Sequence, residues 1–320
     1  MAILGYHDGR SRTDTTRRNA KFWVVSNGRL KGLPQSQAGN RMYGGREWEV
    51  AGFATHRKAL AASDFVDSVL GEYAVCMHDG SLGHDECGRD TGFEIVFDPM
   101  TPKAFAMIRP LVEQVSAKLA EMGGQAHDGG RCGYHIHTSR VAWGNDDDAR
   151  DLAYGKVMML TERFQAEFSA IARRDLAYTG WCKPTGFNHA DGDGSRALRR
   201  KAKHVQHMQG IGVHDDNRYR VWNFQNKSTI ECRAFNGTLK VSTMYATDAF
   251  VFGLVRWCMQ HTTPEAHTLT FDELIAWIGD ADLTAYWAVR KARVNEYTAW
   301  NHSQDSDYWQ TSYNTQSRAA

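Results

Sequence analysis

The sequence predicts an α+β protein, on three observations. Strand-like and helix-like segments are mixed along the chain. Residues 218–225 and 228–235 read as two strands joined by the polar turn Asn226-Lys227, which makes an antiparallel pair. Hydrophobic residues are 42% and charged ones 23% of the 320 residues, the proportions of a chain able to bury a core.

Residues 1–44 are polar and rich in Arg, Gly, Ser and Thr. Asp14 to Arg18 and Gln35 to Asn40 read as loop, and Lys21 to Ser26 as the one short strand, so the segment is expected to be an appendage with partial disorder. From Arg46 the pattern alternates, with Glu47 and Glu49 on one side and Trp48 and Val50 on the other, as a half-buried strand requires. Leu60, Phe65, Val66 and Val69 then fall at helical spacing and predict a helix over about 56–70. A strand at Tyr73 to Met77 leads through the turn Asp79-Gly80-Ser81-Leu82 and a loop at His84 to Asp90 into a strand at Gly92 to Phe97. Asp98-Pro99 is expected to end that strand, because proline removes a ladder donor. Thr101-Pro102 opens a helix to about Met122, with threonine capping and proline in the first turn, and Gly123-Gly124 stops it. Cys132 to Arg140 reads as strand, 146–174 as helix and 183–217 as irregular loop. After the strand pair come helices near 240–260, 271–279 and 282–299, and the last twenty residues read as frayed. The expected division is an appendage at 1–44, one folded unit at 45–300 and a tail at 301–320.

Charge and composition exclude several classes. Thirty-eight basic residues against 37 acidic ones give a net charge of +1, which argues against a domain that lives on phosphate backbones. Mean hydropathy is −0.54, and no run of about 18 apolar residues is present for a membrane span. The start, Met-Ala-Ile-Leu-Gly-Tyr-His-Asp-Gly-Arg, lacks the pattern of a signal peptide, so a soluble, cytoplasmic protein is expected. Six cysteines without a Cys-x-x-Cys pair suit neither a disulfide framework nor the commonest zinc motif.

Four segments could carry chemistry. Glu47 and Glu49, two apart on a strand, point two carboxylates the same way about 6–7 Å apart; they read as a divalent-metal pair or as a solvent-facing acidic pair. Glu94 sits in an otherwise apolar strand and must face solvent or meet a partner. His135, His137 and Ser139 share one face of the 132–140 strand, a polar stripe suited to a ligand or metal, or to a pair of structural histidines. Arg218, Arg220 and Asn223, with Glu231 and Arg233 on the following strand, offer cationic and amide donors or a surface salt-bridge lattice.

Taken in order, Gly45-Arg46-Glu47-Trp48-Glu49, Asp79-Gly80-Ser81-Leu82 with Gly92-Phe93-Glu94-Ile95-Val96, Cys132-Gly133-Tyr134-His135-Ile136-His137, and Thr229-Ile230-Glu231-Cys232-Arg233 with Asn236-Gly237-Thr238 resemble the amidoligase family. That family lies within the superfamily of carboxylate-amine ligases that includes glutamate-cysteine ligase and glutamine synthetase. The resemblance implies a mostly antiparallel sheet curved into a half-barrel funnel, with helices on its outer face. It implies ATP and magnesium as cofactors, with two or more ions and manganese as the alternative metal. Glu47, Glu49, Glu94, His135 and Glu231 become the implied metal ligands, although histidine is an unusual partner for magnesium. His137, Ser139 and Asn223 are implied on the nucleotide side, and Arg233 with Arg218 or Arg220 at the transferring phosphate. The implied reaction joins a carboxylate and an amine, small molecules or peptides, through an acyl phosphate. Two departures, Arg46 inside the first motif and Phe97-Asp98-Pro99 in place of a usual Ser-Pro, imply a different substrate edge.

The run Arg196, Arg199, Arg200, Lys201 and Lys203 reads either as a loop closing over phosphates or acidic substrate, or as a solvated basic surface. Two competing functions stand beside the ligase: a phosphotransferase of the same fold that stops at acceptor phosphorylation, and a non-catalytic module binding nucleic acid or another ligand, against which the near-zero net charge speaks.

Overall fold

The structure, a computed structural model, describes residues 20–126, 132–176, 182, 194–210 and 219–297. One open sheet organises them. Its strands are β1 (Phe22–Ser26), β2 (Arg29–Leu33), β3 (Gly44–Val50), β4 (Ala74–Met77), β5 (Phe93–Met100), β6 (Gly133–Ser139), β7 (Trp222–Asn223) and β8 (Thr229–Asn236). They lie in the order β2-β1-β5-β3-β6-β8-β7, with β4 also along β5, and every pairing is antiparallel except a single contact of β1 with the end of β5. The mixed class and the mostly antiparallel pairing are therefore as expected.

Alternation assigns the two faces. Trp48 and Val50, Phe93, Ile95 and Phe97, and Tyr134 and Ile136 are all buried in one apolar core with helices α1 (His56–Leu70), α2 (Pro102–Met107), α3 (Arg109–Glu121) and α7 (Val241–Gln260). The Trp48 indole N–H donates to the Thr238 carbonyl at 2.9 Å, and Phe105 stacks on Tyr245 with centroids 4.7 Å apart. Arg46 belongs to this face too. Its guanidinium is fully buried and grips Asp248 of α7 with Nε and Nη2 at 2.8 and 2.9 Å, so the residue that departs from the family pattern serves the core and does not reach a substrate edge.

The helix over 56–70 has the expected bounds, with Thr55 accepting from the Lys58 N–H as its cap. Other segments differ from expectation, for physical reasons. Asn27 and Gly28 both take positive φ, 50° and 73°, and form the two-residue turn of a β1–β2 hairpin where only one strand was expected. The strand β5 does not stop at Asp98-Pro99 but runs to Met100. Gly44 pairs with Met100 while Arg46 pairs with Phe97, so Pro99 falls in the irregularity between them, where its missing N–H breaks no rung. The expected long helix after Thr101 divides at Ile108, two residues before Pro110. The helix expected over 146–174 is also two, α4 (Asp147–Arg163) and α5 (Gln165–Ala172). The first strand of the pair near 218–235 shrinks to the two residues of β7.

The largest difference lies in the expected loop over 183–217. Residues Ser195–Gly210 form a helix, α6, whose buried residues Leu198, Ala202, Val205 and Gln209 follow helical spacing and pack it on α4. Gly155 of α4 lets the two approach closely, since a Cβ there would stand 2.6 Å from the Leu198 carbonyl oxygen. Residues 183–193 and 211–217 of that expected loop lie outside the described residues. The chain closes with α8 (Thr263–Thr268), α9 (Phe271–Ile278), α10 (Ala281–Arg290) and a 3-10 turn at Lys291–Glu296. Among the described residues no helix is long and apolar enough to cross a membrane.

Candidate active site

The face opposite the apolar core carries the polar residues of five neighbouring strands. Strand register sets their order: Glu49 of β3 stands opposite Glu94 of β5, Glu47 opposite His135 of β6, His137 opposite Glu231 of β8, and Glu231 opposite Asn223 of β7. All of these residues are at most 8% exposed, which is costly for so many charged groups unless they meet partners.

His135 sits at the centre. Its Nδ1 is 3.4 Å from Glu47 Oε2 and 3.4 Å from Glu231 Oε1, while its Nε2 is 3.8 Å from Glu49 Oε1. His137 Nε2 lies 3.2 Å from Glu47 Oε1, and its Nδ1 lies 3.1 Å from the Thr229 hydroxyl. Glu231 accepts from Arg233 on one oxygen and from Asn223 Nδ2, at 2.9 Å, on the other. The Gly133 N–H donates to Glu49, and only glycine fits there: a Cβ would stand 2.5 Å from His135 Nε2.

These donors fit a divalent ion. One ligand atom from each of Glu47, Glu94 and His135 falls within a 4.8 Å cluster, and so does one from each of Glu47, His137 and Glu231. Glu47 belongs to both sets. Carboxylate oxygens suit magnesium or manganese, and the imidazoles extend the range towards transition metals.

Of the residues singled out in the sequence, the fold brings together Glu47, Glu49, Glu94, His135, His137, Glu231, Arg233 and Asn223. The Asn223 amide is engaged within the cluster, its oxygen accepting from the Gln225 N–H at 3.0 Å. Ser139 lies at the end of β6, where its hydroxyl donates to the Arg41 carbonyl and accepts from the Tyr43 N–H. Arg220 is buried two residues before β7, and Arg218 lies outside the described residues. Sequence reasoning quoted Gly133 and Thr229 within the motifs but gave them no role at the site; in the fold they contact the Glu49 carboxylate and the His137 imidazole.

The electrostatics differ along the row. Burial raises the Glu49 carboxyl above its ordinary value of 4.5, and Asp79 adds to the rise, against partial relief from His135, the Gly133 N–H and Arg233. Burial would raise Glu231 as well, but Arg233 and His137 hold it below the ordinary range. A raised carboxyl ionises first in the unfolded chain, so the metal-free fold loses stability as pH climbs from about 4.5 through the raised value. Glu49→Gln is therefore expected to raise the melting temperature of the metal-free protein at pH 7, read by calorimetry in a chelator, with a fall in melting temperature as the contrary result. A carboxylate whose removal stabilises the fold is kept for something other than the fold.

A family model described as "Putative amidoligase enzyme" matches residues 49–254, well over half of the chain. The match takes in Glu94, both histidines, Glu231 and Arg233, and begins two residues after Glu47. No curated protein matches the chain.

Proposed function

Because the chain belongs to this amidoligase family, we propose that it is an ATP- and magnesium-dependent ligase that joins a carboxylate to an amine through an acyl phosphate. The observation that carries this reading is the convergence of four buried carboxylates and two buried imidazoles on a single sheet face, with the partly exposed guanidinium of Arg233 beside them.

A carboxylate oxygen is a poor leaving group, so an amine cannot displace it until it has been phosphorylated. Phosphoryl transfer needs positioning and charge neutralisation more than a side-chain nucleophile, and no serine or cysteine nucleophile is called for. Bound divalent ions would supply part of that neutralisation, held by Glu47, Glu49, Glu94, His135 and Glu231. Arg233 is the protein's own cation in the row. Burial alone would weaken its charge, but Glu231, Glu47 and Glu49 keep it protonated, and its contact with Glu231 fixes its direction. A guanidinium held in this way binds phosphoryl oxygens with charge-assisted hydrogen bonds.

The test is release of ADP and phosphate by the purified protein with magnesium-ATP, which is expected to require both an acid and an amine. Phosphorylated acid that accumulates at an undiminished rate without any amine, and is never converted to amide, would favour a phosphotransferase. A protein that never binds magnesium-ATP would end the ligase reading.

A further inference from the structure

We propose that Arg174, held by Asn236 at the Gly133 end of the polar sheet face, binds a second, non-reacting carboxylate of the acid substrate, which makes that substrate a dicarboxylate. The assignment rests on the ligase reading for the identity of the reacting carboxylate, and on the geometry around Asn236 for the rest.

Helix α5 ends on Arg173 at φ 57°, a left-handed conformation that side chains other than Asn and Asp seldom adopt. The end of β8 holds it there. Arg173 Nη2 donates to the carbonyls of Asn236 and Gly237, and the Arg173 carbonyl accepts in turn from Asn236 Nδ2. This turn delivers Arg174 to the other end of the same carboxamide, where its Nε donates to Asn236 Oδ1 at 2.6 Å. Arg174 Nη1 lies 3.5 Å from the Cys182 sulfur, and Nη2 makes no hydrogen bond among the described residues. Asn236 stands opposite Gly133 in the β6–β8 register, and Gly133 alternates with His135 and His137, so the Asn236 side chain shares their face. Gly133 is also the residue whose N–H donates to Glu49. The Arg174 guanidinium therefore meets the polar face at its Glu49 end.

Its charge is not used up within the fold. Arg233 has Glu231 as a counter-ion, whereas Arg174 forms no ion pair among the described residues and is half-buried, so solvent and solutes reach it. An acid at position 236 would neutralise it; the neutral amide that stands there orients it and leaves its charge for an incoming anion. A guanidinium set in this way binds a carboxylate through charge-assisted hydrogen bonds, and little freedom is lost on binding because the fork is planar and already placed. The reacting carboxylate has to lie elsewhere, beside Arg233 and the candidate metal ligands. Gly133 is two residues from His135 on β6, a step of about 6–7 Å along a strand. One carboxylate cannot serve both positions, but two carboxylates joined by a few methylene groups can.

The experiment measures, by calorimetry in MgCl2 without nucleotide, the binding of glutarate, adipate and pimelate, each against its own monomethyl ester. In the wild type at least one diacid is expected to bind about tenfold or more tighter than its ester, the scale of a hydrogen bond to a charged group. Arg174→Gln is expected to bring diacid and ester within about threefold of each other and to leave the ester's affinity unchanged. Arg174→Lys is expected to lower the preference at least about threefold, because an ammonium keeps the charge and lacks the fork. Magnesium-ADP affinity is expected to change less than about threefold in both variants, as a site for substrate and not for nucleotide phosphate requires. Equal binding of diacids and esters by the wild type, or a preference that survives Arg174→Gln, would overturn the proposal, and so would a tenfold loss of ADP affinity. Should Arg174→Gln fail to melt cooperatively, Arg174→Lys decides, an unchanged preference being the contrary result. These titrations need no turnover. A diacid preference that depends on Arg174, with no ADP release under any condition, would end the ligase reading and leave this site standing; ADP release that runs equally well with diacids and esters would do the reverse.

Discussion

Arg46→Met is expected to destabilise the fold by about 3–5 kcal/mol, because it leaves Asp248 as an unpaired charge inside the core. The Arg46 guanidinium is completely buried, chelates both oxygens of Asp248, donates to the carbonyls of Gly44 and Met100 at 2.6 and 3.3 Å, and lies 4.1 Å from the centre of the Phe105 ring. Burial opposes its charge, and Asp248 more than offsets this, since the group ends above its ordinary value. This pair ties the central strand to the helix behind it. Replacing both partners, as in Arg46→Met with Asp248→Leu, removes the stranded charge and is expected to recover most of the loss. Urea unfolding of the two single variants and the double one measures the coupling. Single variants that lose less than about 1 kcal/mol would place the pair among ordinary surface contacts.

Glu47→Gln is expected to abolish metal binding and to lower turnover by about a thousandfold, the scale associated with removing one preorganised charge from a reacting centre. No other residue belongs to both candidate ligand sets, so one substitution reaches both. The change from carboxylate to amide keeps the side chain's size, and circular dichroism should report a folded protein. Titration with Mn2+ and the ADP-release assay read the effect. Activity within tenfold of wild type would take the metal centre away from Glu47.

Much of this site was legible in the chain. Strand alternation alone placed Glu47 and Glu49 together, and His135 with His137, because side chains two apart share a face whatever the fold does elsewhere. What alternation could not give was burial. Glu94, Glu47 and Glu231 looked equally suited to a wet face, and only the cross-strand register stacks them into one row. Arg46 is the reverse case: a charge inside a motif suggested a substrate contact, yet its parity put it with Trp48 in the core, and its partner Asp248 lies 202 residues away. Two local signals were present and unread. Asn27-Gly28 is a strong short-range hairpin turn, and Leu198, Ala202 and Val205 repeat at helical spacing beneath a run of arginines and lysines that suggested a loop. Thr229 carried no signal of its own, since a threonine at the start of a strand becomes an orienting group only once register sets a histidine beside it.

The most direct test of the proposed chemistry follows the oxygen. With an acid substrate labelled with oxygen-18 in its carboxylate, one label per turnover is expected in the released inorganic phosphate, because the carboxylate oxygen that takes the γ-phosphoryl group leaves with it when the amine attacks. Amide formation with unlabelled phosphate would contradict an acyl phosphate intermediate.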